Sequence, residues 1–204
     1  MSRNGEPSPW AAIPFVGIVA STLAWFRVCS SPEARRTAPQ KWWWLALFTA
    51  GEALSVGFIT SFYKFRVVVT AMGATAAATL AVSLYTIRQN NPKRDLSQMG
   101  ASLSSASMIL LTYLMIGMLQ KSGMFPHGFQ LVPFSDLLYS GVAACLFSAY
   151  LAYHTKLIVA GKHAKYRMND QDYVFGAMAL YTDVVGIFLN LLEILGSKEQ
   201  DRRR

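Results

Sequence analysis

Six apolar runs follow one another along the chain with only short charged segments between them, each close to the length a helix needs to cross a bilayer. Spanning about 30 Å of hydrocarbon takes about 20 residues at about 1.5 Å per residue. The runs cover approximately residues 10–28, 42–62, 67–87, 99–119, 134–159 and 173–195. In lipid every backbone N–H and C=O must be bonded within the protein, so a spanning segment is either a helix or part of a closed barrel. These runs lack the alternation of a barrel strand and carry Ala, Leu, Gly and Ser at helical spacing, which predicts helices. The expected fold class is therefore all-α, a polytopic transmembrane bundle of six spans.

The intervening segments carry turn formers or charges that end helices: SSPEARRTAPQK, a tight YKFR, RQNNPKRD, the Gly/Pro-containing KSGMFPHGFQLVP, and AGKHAKYRMNDQD. None is a long linker. The expected organisation is a short polar N-terminus at 1–9, one transmembrane domain at 10–196 and a charged tail at 197–204. A cleaved signal peptide is not expected, because MSRNGEPSP carries one basic residue and the run after it is long enough to span.

A formal net charge of +8 raises the question of nucleic acid. The Lys and Arg residues, however, fall in short groups between apolar runs and form neither a basic face nor a nucleic-acid motif, so no nucleic-acid partner is expected. Membrane topology accounts for them. One set of loops holds Arg27, Arg35, Arg36, Lys41, Arg88, Lys93, Arg94, Lys156, Lys162, Lys165 and Arg167; the other holds Arg3, Lys64, Arg66, Lys121 and the terminal basic residues. The positive-inside rule places the first set in the cytosol and both termini opposite, although the DRRR end pulls the other way. Trp10, Trp42 to Trp44, Tyr63 and Tyr85 fall at the expected headgroup levels. Cys29 and Cys145 have neither disulfide-framework nor metal-ligand spacing and read as two free thiols.

An ionisable residue near the bilayer centre costs about 2.5–3.5 kcal/mol on insertion scales, so such residues face a cavity or one another. Glu52 lies at the midpoint of the second run, about 15 Å from either end. Two readings stand: a carboxylate on a polar pathway, or a packing lock through Ser55 or Thr60. Asp183 is equally central in the last run and has less reach. Asn190 and Glu193 continue its face as a polar stripe, with Glu193 near enough to the interface to snorkel. His154 and Lys156 interrupt the apolar run YLAYHTKLIV near its cytosolic end. Lys156 has the reach to snorkel to the headgroups. His154 has less, and two readings stand: an inward polar cluster with Tyr150, Tyr153 and Thr155 beside it, or a lone histidine satisfied by a hydrogen bond. The small-residue run AMGATAAATLA, residues 71–81, reads as a close-packing face, and His127 has no second ligand at metal spacing.

These residues carry a family resemblance. The segment from Ala149 to Gly196 is similar to the C-terminal signature of the Bax inhibitor / lifeguard (TMBIM) family, in which an AYDTQLI-like motif and a charged loop precede DYxxGAxxLYxDxxxxFxxxLxxLG. Asp172, Tyr173, Gly176, Ala177, Leu180, Tyr181, Asp183, Phe188, Leu192, Leu195 and Gly196 match it. ALFTAGEALSVGFITSFY, residues 46–63, resembles the family's second block and includes Glu52, and the likeness runs from about Pro9 onward. Family members usually have seven spans. The run beginning at Trp10 aligns with the second of them, so a six-span version lacking the first is expected.

The resemblance implies a pH-sensitive calcium leak, gated by two aspartates that share a proton, with roles in calcium homeostasis and suppression of apoptosis. Here the first aspartate is replaced by His154 in AYHTK, while its partner remains as Asp183. The implied gate and ion pathway are His154, Asp183 and Glu52, with Asp183 a weak calcium site. Imidazole is a poor calcium ligand beside a carboxylate. With an ordinary pKa near 6.5, His154 is expected to form an imidazolium–carboxylate bridge at acidic or neutral pH and a neutral hydrogen bond above it. The expected gate is thus altered, reduced or lost. No resident cofactor is expected, only transient Ca2+. The expected partners are the lipid bilayer, Ca2+ as permeant ion and other membrane proteins, in an endomembrane such as the endoplasmic reticulum or Golgi, or in the plasma membrane.

From a different class comes the alternative of a non-conducting membrane regulator of cell-death or stress pathways. An enzyme is not expected: no Ser/His/Asp arrangement, phosphate loop, Gly-x-Ser-x-Gly site or paired metal-ligand motif is present.

Overall fold

A computed structural model of the chain describes residues 12–89, 96–121, 136–159 and 168–201. His127, the first polar residues and the last three arginines lie outside the described residues. The α-helices are α1 (Ala12–Ser30), α2 (Pro32–Arg36), α3 (Gln40–Thr60), α4 (Phe65–Arg88), α5 (Gly100–Lys121), α6 (Asp136–Val159) and α7 (Tyr173–Asp201). Each expected span holds one long α-helix among its described residues, and no strand occurs among the described residues. Five helices, α3 to α7, are long and apolar enough to cross a membrane, and α1 carries a shorter apolar stretch over Phe15–Ser30. Over its full 19 residues, α1 reaches about 28 Å, close to the hydrocarbon thickness. At its other end the chain stays helical to Asp201, past the expected end of the last span near residue 195.

Phe15, Phe26, Trp43, Phe65, Ile109 and Leu138 are all more than half exposed. In water such a surface would be anomalous; against lipid tails it costs nothing. The chain is a multi-pass membrane protein.

The helices group into two compact units. The first comprises residues 1–68 and 168–181, the second residues 69–167 and 182–204. In the first unit α1 and α3 cross at glycine. A Cβ on Gly17 would lie 2.7 Å from the Gly51 carbonyl oxygen and 2.7 Å from Ser55 Oγ, and one on Gly51 would lie 2.6 Å from the Gly17 carbonyl oxygen. The chain spells the same small-x-x-x-small pattern twice, Gly17 to Ser21 and Gly51 to Ser55, so each helix offers a groove that admits the other's backbone. The serine hydroxyls are satisfied within their own helices, Ser55 donating to Gly51 O at 2.9 Å and Ser21 to Ile18 O at 3.2 Å.

Toward the opposite end of α1 the core is aromatic. Ala24, Val28, Phe48, Val174 and Met178 are buried, flanked by Trp25, Trp44, Leu45, Phe175 and Tyr181. Trp25 lies 6.0 Å from Phe48 and 5.7 Å from Phe175, and Phe48 meets Tyr181 edge-on at 5.7 Å, separations at which aromatic pairs attract.

In the second unit α6 and α7 run antiparallel, with His154 opposite Asp183 and Phe147 opposite Gly186. The run at 71–81 is a packing face only in part: Ala71 and Thr75 are buried, whereas a Cβ on Gly73 would meet open space.

Candidate functional site

Within the described spans of the second unit, an ionisable pair forms between His154 and Asp183. Helix α6 places His154 near its C-terminal end, because the apolar run from Leu137 continues without a breaker to Val159. Helix α7 places Asp183 about three turns from its start. The two side chains meet with Nδ1 2.6 Å from Oδ2. With Asp183 as a carboxylate, the Nδ1–H donates. Both groups are withdrawn from the surface, with side-chain exposures of 15% and 4%, so each is the other's main electrostatic compensation.

A cluster surrounds the imidazole. Tyr150 stacks on it at 5.6 Å with a 21° interplanar angle, and Tyr153 lies tilted at 5.2 Å. Tyr150 OH and Ser107 Oγ of α5 share a hydrogen bond at 2.7 Å. Spacing explains it: Tyr150 precedes His154 by four residues, one turn on the same face. Thr155 is buried next in sequence.

Lys156 finds a partner at the end of a neighbouring helix. Its Nζ donates to the Gln89 carbonyl oxygen at 2.6 Å, just past the end of α4 at Arg88. An ammonium there satisfies an orphan carbonyl and meets the negative end of the helix dipole. Sequence assigned the α4 and α6 ends to one side of the membrane, and this bond joins them.

Glu52 belongs to the first unit and the His154–Asp183 pair to the second. It is half-buried on α3 in the first unit, within electrostatic reach of Tyr181 of that unit. The packing lock expected through Ser55 or Thr60 is not formed by those hydroxyl protons, which go to Gly51 O and Gly57 O. On α7, Asn190 donates back to Gly186 O at 2.7 Å, and Glu193 lies within electrostatic reach of Tyr139 on α6.

Sequence reading overlooked a second charged site. In the first unit, Arg36 grips Asp172 with both teeth of its guanidinium, Nε to Oδ1 at 2.7 Å and Nη2 to Oδ2 at 3.0 Å. Arg35 Nε comes within 3.0 Å of the same Oδ1, but its N–H is not aligned for a hydrogen bond, so it acts there as a charge. Asp172 sits in a 3-10 turn before α7, and Asn169 caps that turn by accepting from Gln171 N–H at 3.1 Å. The bidentate Arg36 bond holds the Asp172 carboxyl below the usual carboxylate range, and Arg35 adds to the effect. Nearby, Lys41 Nζ lies 4.8 Å from the Tyr173 ring centroid, a cation–π contact at the headgroup level.

Among the described residues no group of three or more His, Cys, Asp or Glu is placed to hold a metal ion. To a calcium ion the His154–Asp183 pair offers one carboxylate and one imidazole nitrogen, well short of the six to eight oxygen ligands, about, that this hard cation prefers.

Residues 2–200 match the family described as inhibitor of apoptosis-promoting Bax1. The chain is similar to protein lifeguard 3 of Homo sapiens, 28% identical over 187 residues that make up 92% of this chain and 57% of that protein. It is also similar to the Golgi anti-apoptotic protein of Vaccinia virus (strain Lister), 29% identical over 161 residues, 79% of this chain and 60% of the viral one. The chain thus spans less than two thirds of the length of these curated relatives.

Proposed function

This chain belongs to the Bax inhibitor family, and on that footing we propose that it is a calcium-leak-like protein of an endomembrane that restrains cell death, with its proton-sensitive gate rebuilt around His154 and Asp183. The observation that carries the reading is the 2.6 Å contact between two ionisable side chains of facing spans. Two carboxylates sharing one proton keep a net negative charge and attract cations. A protonated imidazole beside one carboxylate is neutral overall and presents a positive edge. The exchange therefore weakens calcium attraction wherever His154 is charged and restores part of it as His154 loses its proton. The names of the relatives, one a lifeguard and the other a Golgi anti-apoptotic protein, favour a Golgi or other internal membrane and a protective role.

Calcium flux into vesicles reconstituted with wild type, His154→Asp or Asp183→Asn tests the reading. Wild type is expected to lie below His154→Asp, and Asp183→Asn is expected to abolish the pH response. Background flux from all three proteins would sink it. A second reading, a non-conducting regulator that acts by binding other membrane proteins, is favoured by the single carboxylate at the pair. Co-purification from native membranes with no stable partner would count against it.

A further inference from the structure

We infer that Phe147 is an apolar plug at the middle of the α6–α7 seam, separating the His154–Asp183 level from a second polar level around Ser140. The inference rests on the conducting reading above and adds the residue that blocks the path.

Phe147 is the twelfth residue of the 24-residue α6, which puts it at the bilayer midplane when the helix spans. Ser140, Phe147 and His154 are spaced by seven residues, about two turns, and so share one face of the helix, about 10 Å apart along its axis. On α7, Asp183, Gly186, Asn190 and Glu193 recur at intervals of three or four and likewise share a face. The two faces meet, since His154 touches Asp183 and the Phe147 ring lies against Gly186.

The fit at the middle level is close. A Cβ on Gly186 would fall 2.5 Å from Phe147 Cδ1 and 2.6 Å from Cγ, so only glycine lets the ring lie flat on the α7 backbone. The carbonyl of Gly186 is already engaged by Asn190 Nδ2. Beyond the ring polarity resumes. Ser140 is fully buried and its hydroxyl has no hydrogen-bond partner among the described residues, a costly state for a polar atom away from water. The order along the seam is thus ionisable pair, aromatic ring, unpartnered hydroxyl. A cation crossing it keeps partial hydration at either polar level and must shed water at the ring, which is how apolar constrictions gate.

The test is calcium entry at neutral pH into vesicles carrying the full chain as wild type, Phe147→Asn, Phe147→Leu or His154→Asp, with a co-trapped large anionic dye. Phe147→Asn is expected to raise calcium entry several-fold over wild type with the dye retained, and Phe147→Leu, which keeps an apolar seal, to stay at the wild-type rate. Should the Asn variant fail to insert, Phe147→Ala carries the same expectation. Wild-type flux from the Asn or Ala variant, with His154→Asp still elevated, overturns the plug and leaves the conducting reading standing. Escape of the dye marks a packing defect and also overturns it. Protein-free background from all variants overturns both.

Discussion

The two units treat polar groups in opposite ways. In the first, small residues and aromatic rings close the bundle, and the charge clamp sits at its end, where Arg35 and Arg36 hold Asp172. In the second, the charges are drawn inside, where His154 and Asp183 compensate each other between facing spans. A charge at the membrane edge draws on water and headgroups, and its pairing chiefly fixes loop geometry. A charge within the span must be compensated by the protein alone, so its persistence there points to a use. An aspartate thus anchors a clamp with arginine in one unit and a buried pair with histidine in the other.

The sharpest way to break the first unit is to fill its glycine crossing. Gly51→Val puts side-chain atoms where the Gly17 backbone lies, and it is expected to cost about 1–3 kcal/mol or more in a detergent unfolding assay. Gly73→Val, on open space, is expected to be close to neutral. Equal losses at both positions would show that the crossing is not a packing constraint.

Next comes the clamp. Asp172 has a folded-state pKa below its unfolded one, so its contribution to stability is present above the ordinary carboxylate range and is lost as pH falls through the folded value. Asp172→Asn is expected to lower the melting temperature by a few degrees at neutral pH. The gap from wild type should hold down to about pH 5 and close below about pH 4. A gap independent of pH would mean that Asp172 acts by shape and not by charge.

Smaller effects belong to the second unit. Lys156→Met removes the cation from the end of α4 and is expected to cost about 1 kcal/mol, with increased amide exchange confined to the last turn of α4. Unchanged exchange there would refute the cap. Tyr150→Phe deletes only the bond to Ser107 and is expected to cost about 0.5–1 kcal/mol while leaving the ring stacked on His154. A shifted pH profile of flux in this variant would show that the hydroxyl takes part in the gate.

What sequence makes legible follows from range. Span length is set by the thickness of the bilayer, so the limits of α3, α4, α5 and α6 lie within two residues of those expected. His154 and Asp183 stand out because ionisable groups are rare in apolar runs, and the family motif pairs them. The Arg36–Asp172 clamp joins residues 136 positions apart. Both arginines already had a sufficient explanation as positive-inside charge, so nothing prompted a search for their partner. The glycine crossing was written as Gly17-x-x-x-Ser21 and Gly51-x-x-x-Ser55, but the longer alanine run at 71–81 carries the stronger compositional signal. Lys156 shows the limit of reach arguments. A chain long enough to snorkel is also long enough to cap a neighbouring helix, and only geometry reveals the cap.

The account turns on one carboxylate having been exchanged for an imidazole at a working gate. The most direct measurement is calcium flux through reconstituted wild type and His154→Asp as a function of pH. The account predicts less flux in wild type than in His154→Asp across the acidic and neutral range. Superimposable curves at every pH would contradict it.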